Sequence, residues 1–86
     1  MQLCAEISLY PLQDPYIPEI KSFIDRLNEY SDIKTQTSAT STIVVGEYAV
    51  LMHILATEMQ RTHESVGQAI FVCKFLNADK ADIQLA

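Results

Sequence analysis

The chain has 86 residues, room for one small domain spanning residues 1–86, and its 49% hydrophobic content is enough for a core. A formal charge of −5 argues against nucleic-acid partners, which need clustered Lys and Arg. No apolar run is long enough to cross a bilayer, so membrane insertion is not expected.

The chain opens with "LCAEISLY", which alternates as a strand: Leu3, Ala5, Ile7 and Leu9 on one face, Cys4, Glu6, Ser8 and Tyr10 on the other. "PLQDP" ends it, because its two prolines would leave gaps in a central ladder. In "YIPEIKSFIDRLNEY" the residues Ile17, Ile20, Phe23, Ile24, Leu27 and Tyr30 recur at helical spacing. Glu19, Lys21, Asp25, Arg26 and Glu29 take the other side, and Pro18 suits a first turn. "SDIKTQTSA" reads as a polar edge strand in which Lys34 discourages unwanted pairing. "STIVVGE" is denser in β-branched residues and reads as an interior strand, joined to the edge strand by a hairpin around Ala39 to Ser41. "YAVLMHILATEMQRTHES" is a second helix, with Tyr48, Leu51, Met52, Leu55 and Met59 along one stripe and Val50 and Ile54 widening it. Gly67 breaks that pattern, and "QAIFVCKFLN" follows as a strand apolar on both faces.

Strand, helix, strand, strand, helix, strand is the ferredoxin-like α+β order, a split βαβ pair. The expected structure is a four-stranded antiparallel sheet, ordered 4-1-3-2, with both helices on one face. The other face is then bare. It receives Cys4, Glu6, Ser8 and Tyr10 and, with Ile70 and Val72 turned to the helices, also Ala69, Phe71, Cys73 and Phe75. An exposed aromatic patch of this kind marks an interaction surface, most simply with another copy of the chain.

Two features of this layout invite a functional reading. The turn "TSATST" has five hydroxyl residues within six positions and no charge, which fits either a Ser/Thr-rich hairpin or the rim of a binding site. Glu6 is a carboxylate in the middle of a strand. It is either solvated on an open sheet or, beside covering aromatics, a recognition group that needs a partner. A cationic or amino-bearing heterocycle, or a Lys of a neighbouring chain, would serve.

Other chemistry is missing. His53 and His63 are not at metal-ligand spacing on a helix, and His53 reads as a structural residue. Cys4 and Cys73 are placed to approach across adjacent strands and read as two buried thiols. The sequence has no P-loop, dinucleotide-binding fingerprint or nucleophile elbow. Neither a metal nor a cofactor is expected. The start of the chain has no basic leader and no small-residue cleavage site, so a reducing, cytoplasmic setting is expected.

"ISLYPLQDPYIPEIKSFI" and "TSATSTIVVGE" together resemble the YkoF-like thiamin- and hydroxymethylpyrimidine-binding proteins, a superfamily that includes the small archaeal and bacterial thiamine-binding proteins. The shared features are a first strand ending in "PL", a short loop into a helix, and a hairpin whose second strand starts with Ser/Thr-Thr and ends at Gly. The resemblance implies a non-catalytic binder of thiamin or its pyrimidine precursor, working as a homodimer or homotetramer because that family uses paired ferredoxin-like units. It further implies that Ser38, Thr40, Ser41 and Thr42 offer neutral donors and acceptors to an aminopyrimidine. On the same resemblance Glu6 would take the ring N–H and amino group together, Tyr10 or Tyr16 would stack on the ring, and Ser8 is counted among the ligand-binding residues. Two rival functions remain: a regulatory ligand-sensing module of another specificity, such as one for amino acids, and a dimeric α+β barrel enzyme built around Glu6 and His53.

Overall fold

The computed structural model describes residues 1–12 and 17–80. Strand β1 (Gln2–Pro11) leads to helix α1 (Ile17–Asn28), the hairpin β2 (Ile33–Thr37) and β3 (Thr42–Glu47), helix α2 (Tyr48–Val66) and strand β4 (Ala69–Asn77), with a short 3-10 turn at Ala78–Lys80. The sheet is antiparallel throughout, in the order β2-β3-β1-β4. This is the ferredoxin-like arrangement expected from the sequence. Leu3, Ala5 and Ile7 of β1, Val44 of β3 and Ile33 of β2 are buried in one cluster with Phe23 and Leu27 of α1 and Leu51, Ile54 and Leu55 of α2. Both helices therefore cover the same face. No helix among the described residues is long and apolar enough to cross a membrane.

Two glycine-dependent details shape the layers. Gly67 ends α2 at a φ of 74°, a conformation that side chains disfavour. Gly46 lies opposite Ile33, where an added Cβ would come within 2.8 Å of the Ile33 Cγ2. The helix α2 starts directly after β3, and the Glu47 carboxylate accepts a hydrogen bond from the Val50 N–H at 3.0 Å to cap it.

Strand β4 is turned over relative to the sequence expectation. Its register pairs Phe71 with Leu9, Cys73 with Ile7 and Phe75 with Ala5. Residues directly opposite in a ladder share a face, so these three side chains lie on the helix side. Phe71 packs on Phe23 with ring centroids 5.1 Å apart and meets His63 edge-on at 5.2 Å. The open face instead carries Ile70, Val72, Lys74 and Leu76 beside Tyr10, Ser8, Glu6 and Cys4. Both parities of this strand are apolar apart from Lys74 on one and the terminal Asn77 on the other, so alternation could not choose between them; pairing with β1 does. The cysteines consequently fall on opposite faces and do not approach each other, and both thiols are free. Burial pushes both thiols up, and the charge of Glu6 adds to the effect at Cys4.

The buried stripe of α2 also differs from expectation. It runs through Leu51, Ile54, Leu55, Glu58, Thr62 and Val66, while Tyr48, Val50 and Met52 are exposed. Two polar residues thus continue the apolar row, because Arg26 of the facing helix is there to meet them.

Candidate functional site

Strand β1 is longer than the ladder it makes with β3. The last pair is Ile7 with Thr42, and β1 continues from Ser8 to Pro11 beyond it. The hairpin turn stands beside this extension, and the Ser8 hydroxyl donates to the Thr40 carbonyl at 3.1 Å. The gap left between the turn, the end of β1 and α1 is a cavity of about 450 Å³, within the usual range for small-molecule sites. Ile7 and Leu9 form its floor from the sheet, and Ile20, Phe23 and Ile24 face them from α1. These three recur at i, i+3 and i+4, which puts them on one side of a helix. The hydroxyl residues Thr37, Ser38, Thr40, Ser41 and Thr42 form the rim, and no described lining residue carries a charge.

The rim holds its own shape. Ser38 N–H donates to the Ser41 carbonyl at 2.9 Å, and the Ser38 hydroxyl donates to the same carbonyl at 3.2 Å. The Ser38 oxygen also accepts from the N–H groups of Thr40 and Ser41, at 3.4 and 3.3 Å. Thr37 and Thr42 hydroxyls lie 3.3 Å apart across the start of the hairpin. The turn is therefore both a self-bonded hairpin and the wall of a cavity. A hydroxyl oxygen can still accept after donating, so Ser8 and Ser41, whose protons go to Thr40 and Glu6, keep acceptor capacity, whereas the Ser38 hydroxyl is saturated within the turn.

A second, smaller hollow of about 260 Å³ lies on the open face of the sheet. It shares Ser8, Tyr10, Thr40 and Ser41 with the first and adds Glu6, Val72 and Lys74. Glu6 and Lys74 are register partners across β1 and β4. Their charged atoms lie 3.7 Å apart, with the Glu6 side chain 41% and the Lys74 side chain 81% exposed. The other Glu6 oxygen accepts from the Ser41 hydroxyl at 3.0 Å. The covering Phe71 and Phe75 that would have buried Glu6 are on the opposite face, and the cation beside it comes from its own chain. Of the residues singled out from the sequence, Ser8, Tyr10, Ser38, Thr40, Ser41 and Thr42 line the larger cavity, and Glu6 lines only the smaller one. Tyr16 lies outside the described residues. His53 is exposed on α2, in the layer opposite Glu6, so the structure does not bring that pair together. No group of three or more His, Cys, Asp or Glu side chains suited to a metal occurs among the described residues.

Sequence reasoning missed a polar cluster between the helices. Glu58 is fully buried. It accepts from Arg26 Nε at 2.6 Å and from the Tyr30 hydroxyl at 2.5 Å, with Arg61 at 3.2 Å. Arg26 also reaches the Thr62 hydroxyl at 2.6 Å and the Ser22 hydroxyl at 2.9 Å. Burial alone would push the Glu58 carboxyl up, but the bonds from Tyr30 and Arg26 and the charges of Arg61 and Arg26 together hold it below the usual carboxylate range. The same bond to Glu58, with burial, raises Tyr30. The available signal was Arg26 and Tyr30 one turn apart on α1, and Glu58 and Thr62 one turn apart on α2, each pair bordering an apolar stripe.

No known protein family and no curated relative matches the sequence. Solved structures do match its fold. A candidate thiamine biosynthesis/salvage protein from Thermotoga maritima superimposes with a TM-score of 0.83 at 14% identity, over 96% of this chain and 91% of that one. A protein from Streptococcus pneumoniae gives 0.81 at 19% identity, over 88% and 86% of the two chains. A domain of unknown function, DUF77, from Bacillus cereus gives 0.74 at 18% identity, over 99% and 84%. At these identities the likeness establishes a shared fold.

Proposed function

We propose that this chain is a non-catalytic small-molecule-binding protein for thiamin or its hydroxymethylpyrimidine moiety, and that it acts as an oligomer. The observation that carries the reading is the larger cavity: an apolar slot with a neutral, hydroxyl-bearing rim fits a flat aminopyrimidine, which stacks on apolar side chains and exchanges hydrogen bonds at its edge. The fold shared with a candidate thiamine biosynthesis/salvage protein supports the choice of ligand. The oligomer is supported by the edge strand β4, which has no strand on its outer side among the described residues and whose Phe75 and Leu76 are each about half exposed. The separation of Glu6 and His53 onto opposite layers weighs against the enzyme built on that pair.

A thermal-shift panel of thiamin, its pyrimidine and thiazole halves, and amino acids tests the ligand. A ligand at a hundredfold excess over its Kd stabilises by about 2.7 kcal/mol. Stabilisation by thiamin and the pyrimidine is expected; a response to amino acids alone would replace this reading with the sensing module. Sedimentation is expected to show a species larger than the 9.7 kDa chain, and a monomer at micromolar concentration would remove the oligomer.

A further inference from the structure

The two hollows at the hairpin turn differ in charge. The larger has no charged lining residue among those described. The smaller has a carboxylate, Glu6, and an exposed aromatic ring, Tyr10. They meet along Ser8, Tyr10, Thr40 and Ser41, which line both. From this we infer that the two hollows divide one ligand by charge: the larger takes an uncharged aromatic heterocycle, and the Glu6 side takes a cationic group tethered to it by a short link. The inference rests on the thiamin reading above and changes the role of Glu6 within it. The carboxylate does not read the pyrimidine ring; the rim hydroxyls other than Ser41, which is bonded to Glu6, do, and Glu6 holds the cation.

Four features support the division. An ionic group would lose its hydration in the larger cavity with no counter-charge among the described lining residues to replace it, so that lining favours a neutral ring. Glu6 already has a cation beside it, but a loose one: Lys74 sits 3.7 Å away on a side chain 81% exposed. Lys74 gives up little when it swings into solvent and leaves its place to a ligand cation. The Ser41 hydroxyl holds one Glu6 oxygen at 3.0 Å, which fixes the carboxylate at the boundary between the hollows. Tyr10, an exposed aromatic residue lining both hollows, adds a ring beside the same place, where a cation–π contact is available to the ligand.

Calorimetric titration of the full chain with thiamin and with hydroxymethylpyrimidine tests the division, using Glu6→Gln and Lys74→Gln. Wild type is expected to hold thiamin roughly tenfold or more tighter than the neutral pyrimidine. Glu6→Gln weakens thiamin by roughly ten- to hundredfold, the scale of one lost charge-assisted contact, and leaves the pyrimidine unchanged. Lys74→Gln removes the competing cation and tightens thiamin alone. Equal weakening of both ligands by Glu6→Gln assigns Glu6 to the ring and overturns the division, as does thiamin binding that neither variant alters. Should Glu6→Gln fail to fold, the thiamin-to-pyrimidine ratio in Lys74→Gln decides on its own, and an unchanged ratio overturns the division. Binding of neither ligand to wild type is a separate result: it removes the thiamin reading and this inference with it.

Discussion

Glu58 and Glu6 are both carboxylates in the middle of regular elements, and the structure treats them in opposite ways. Glu58 is fully buried and held by two arginines and a tyrosine hydroxyl. Glu6 is half-exposed, with one hydroxyl bond and a loosely held, solvent-exposed lysine at 3.7 Å. The first is a fixed part of the helix seam, with no capacity left for a ligand. The second keeps most of its capacity, at the edge of a hollow. A carboxylate with unused hydrogen-bonding capacity beside a cavity is a better candidate for recognition than one with a complete set of partners, however unusual the buried one looks.

The contrast is broken most severely at Glu58. Glu58→Ala strands the Arg26 guanidinium in the seam, and losing one partner of a buried pair costs about 3–5 kcal/mol. The expected result is a large drop in urea midpoint. A drop below about 1 kcal/mol would mean that the seam behaves like a surface pair.

Acid tests the same carboxylate. The folded-state value of Glu58 lies below its unfolded value. Its contribution is therefore fully present above the unfolded value and is lost as pH falls through the folded one. Stability should decline below the ordinary carboxylate range, and Glu58→Gln should flatten that part of the profile when urea midpoints are measured against pH.

At the cavity the effects are smaller. Ser41→Ala removes the hydroxyl that holds Glu6, a net change of about 0.5–1.5 kcal/mol for one hydrogen bond. The expected outcome is a slightly lower melting temperature and a modest loss of thiamin affinity by titration. An equally large loss for the neutral pyrimidine would place the Ser41 hydroxyl on the ring itself. The smallest effect belongs to Lys21, whose pair with Asp25 one turn away is solvent-exposed on both sides. Lys21→Ala should shift stability by about 0.5 kcal/mol or less, which serves as the baseline for the others.

How much of this was legible in the sequence varied with the element. The alternation of Leu3, Ala5, Ile7 and Leu9 with polar neighbours set the faces of β1 correctly, because only one parity is apolar. The hairpin was marked by its hydroxyl run, and its turn lies at Ser38–Ser41. The face of β4 was not legible, because Ile70 and Val72 match Phe71 and Cys73 in hydrophobicity and only the register with β1 distinguishes them. The helix seam was hidden for a related reason: burial of Glu58 depends on Arg26, which is far away in the chain, and no local pattern reports such a partner. At the candidate site the hydroxyl residues could be named from their run, but the apolar wall from Ile20, Phe23 and Ile24 looked like ordinary core, and the split into two hollows depends on where β1 outruns β3.

The central position of β1 in the sheet also has a consequence for the order in which the parts assemble. Every described lining residue of the neutral cavity falls between residues 7 and 42. The charged hollow needs Val72 and Lys74, which reach it only when β4 pairs with β1 from the far end of the sequence. Pairings between distant segments form late, because the loop between them must close before any contact rewards it. During synthesis, the neutral cavity has all its described parts as soon as the hairpin emerges, whereas the Glu6–Lys74 pair waits for the last strand.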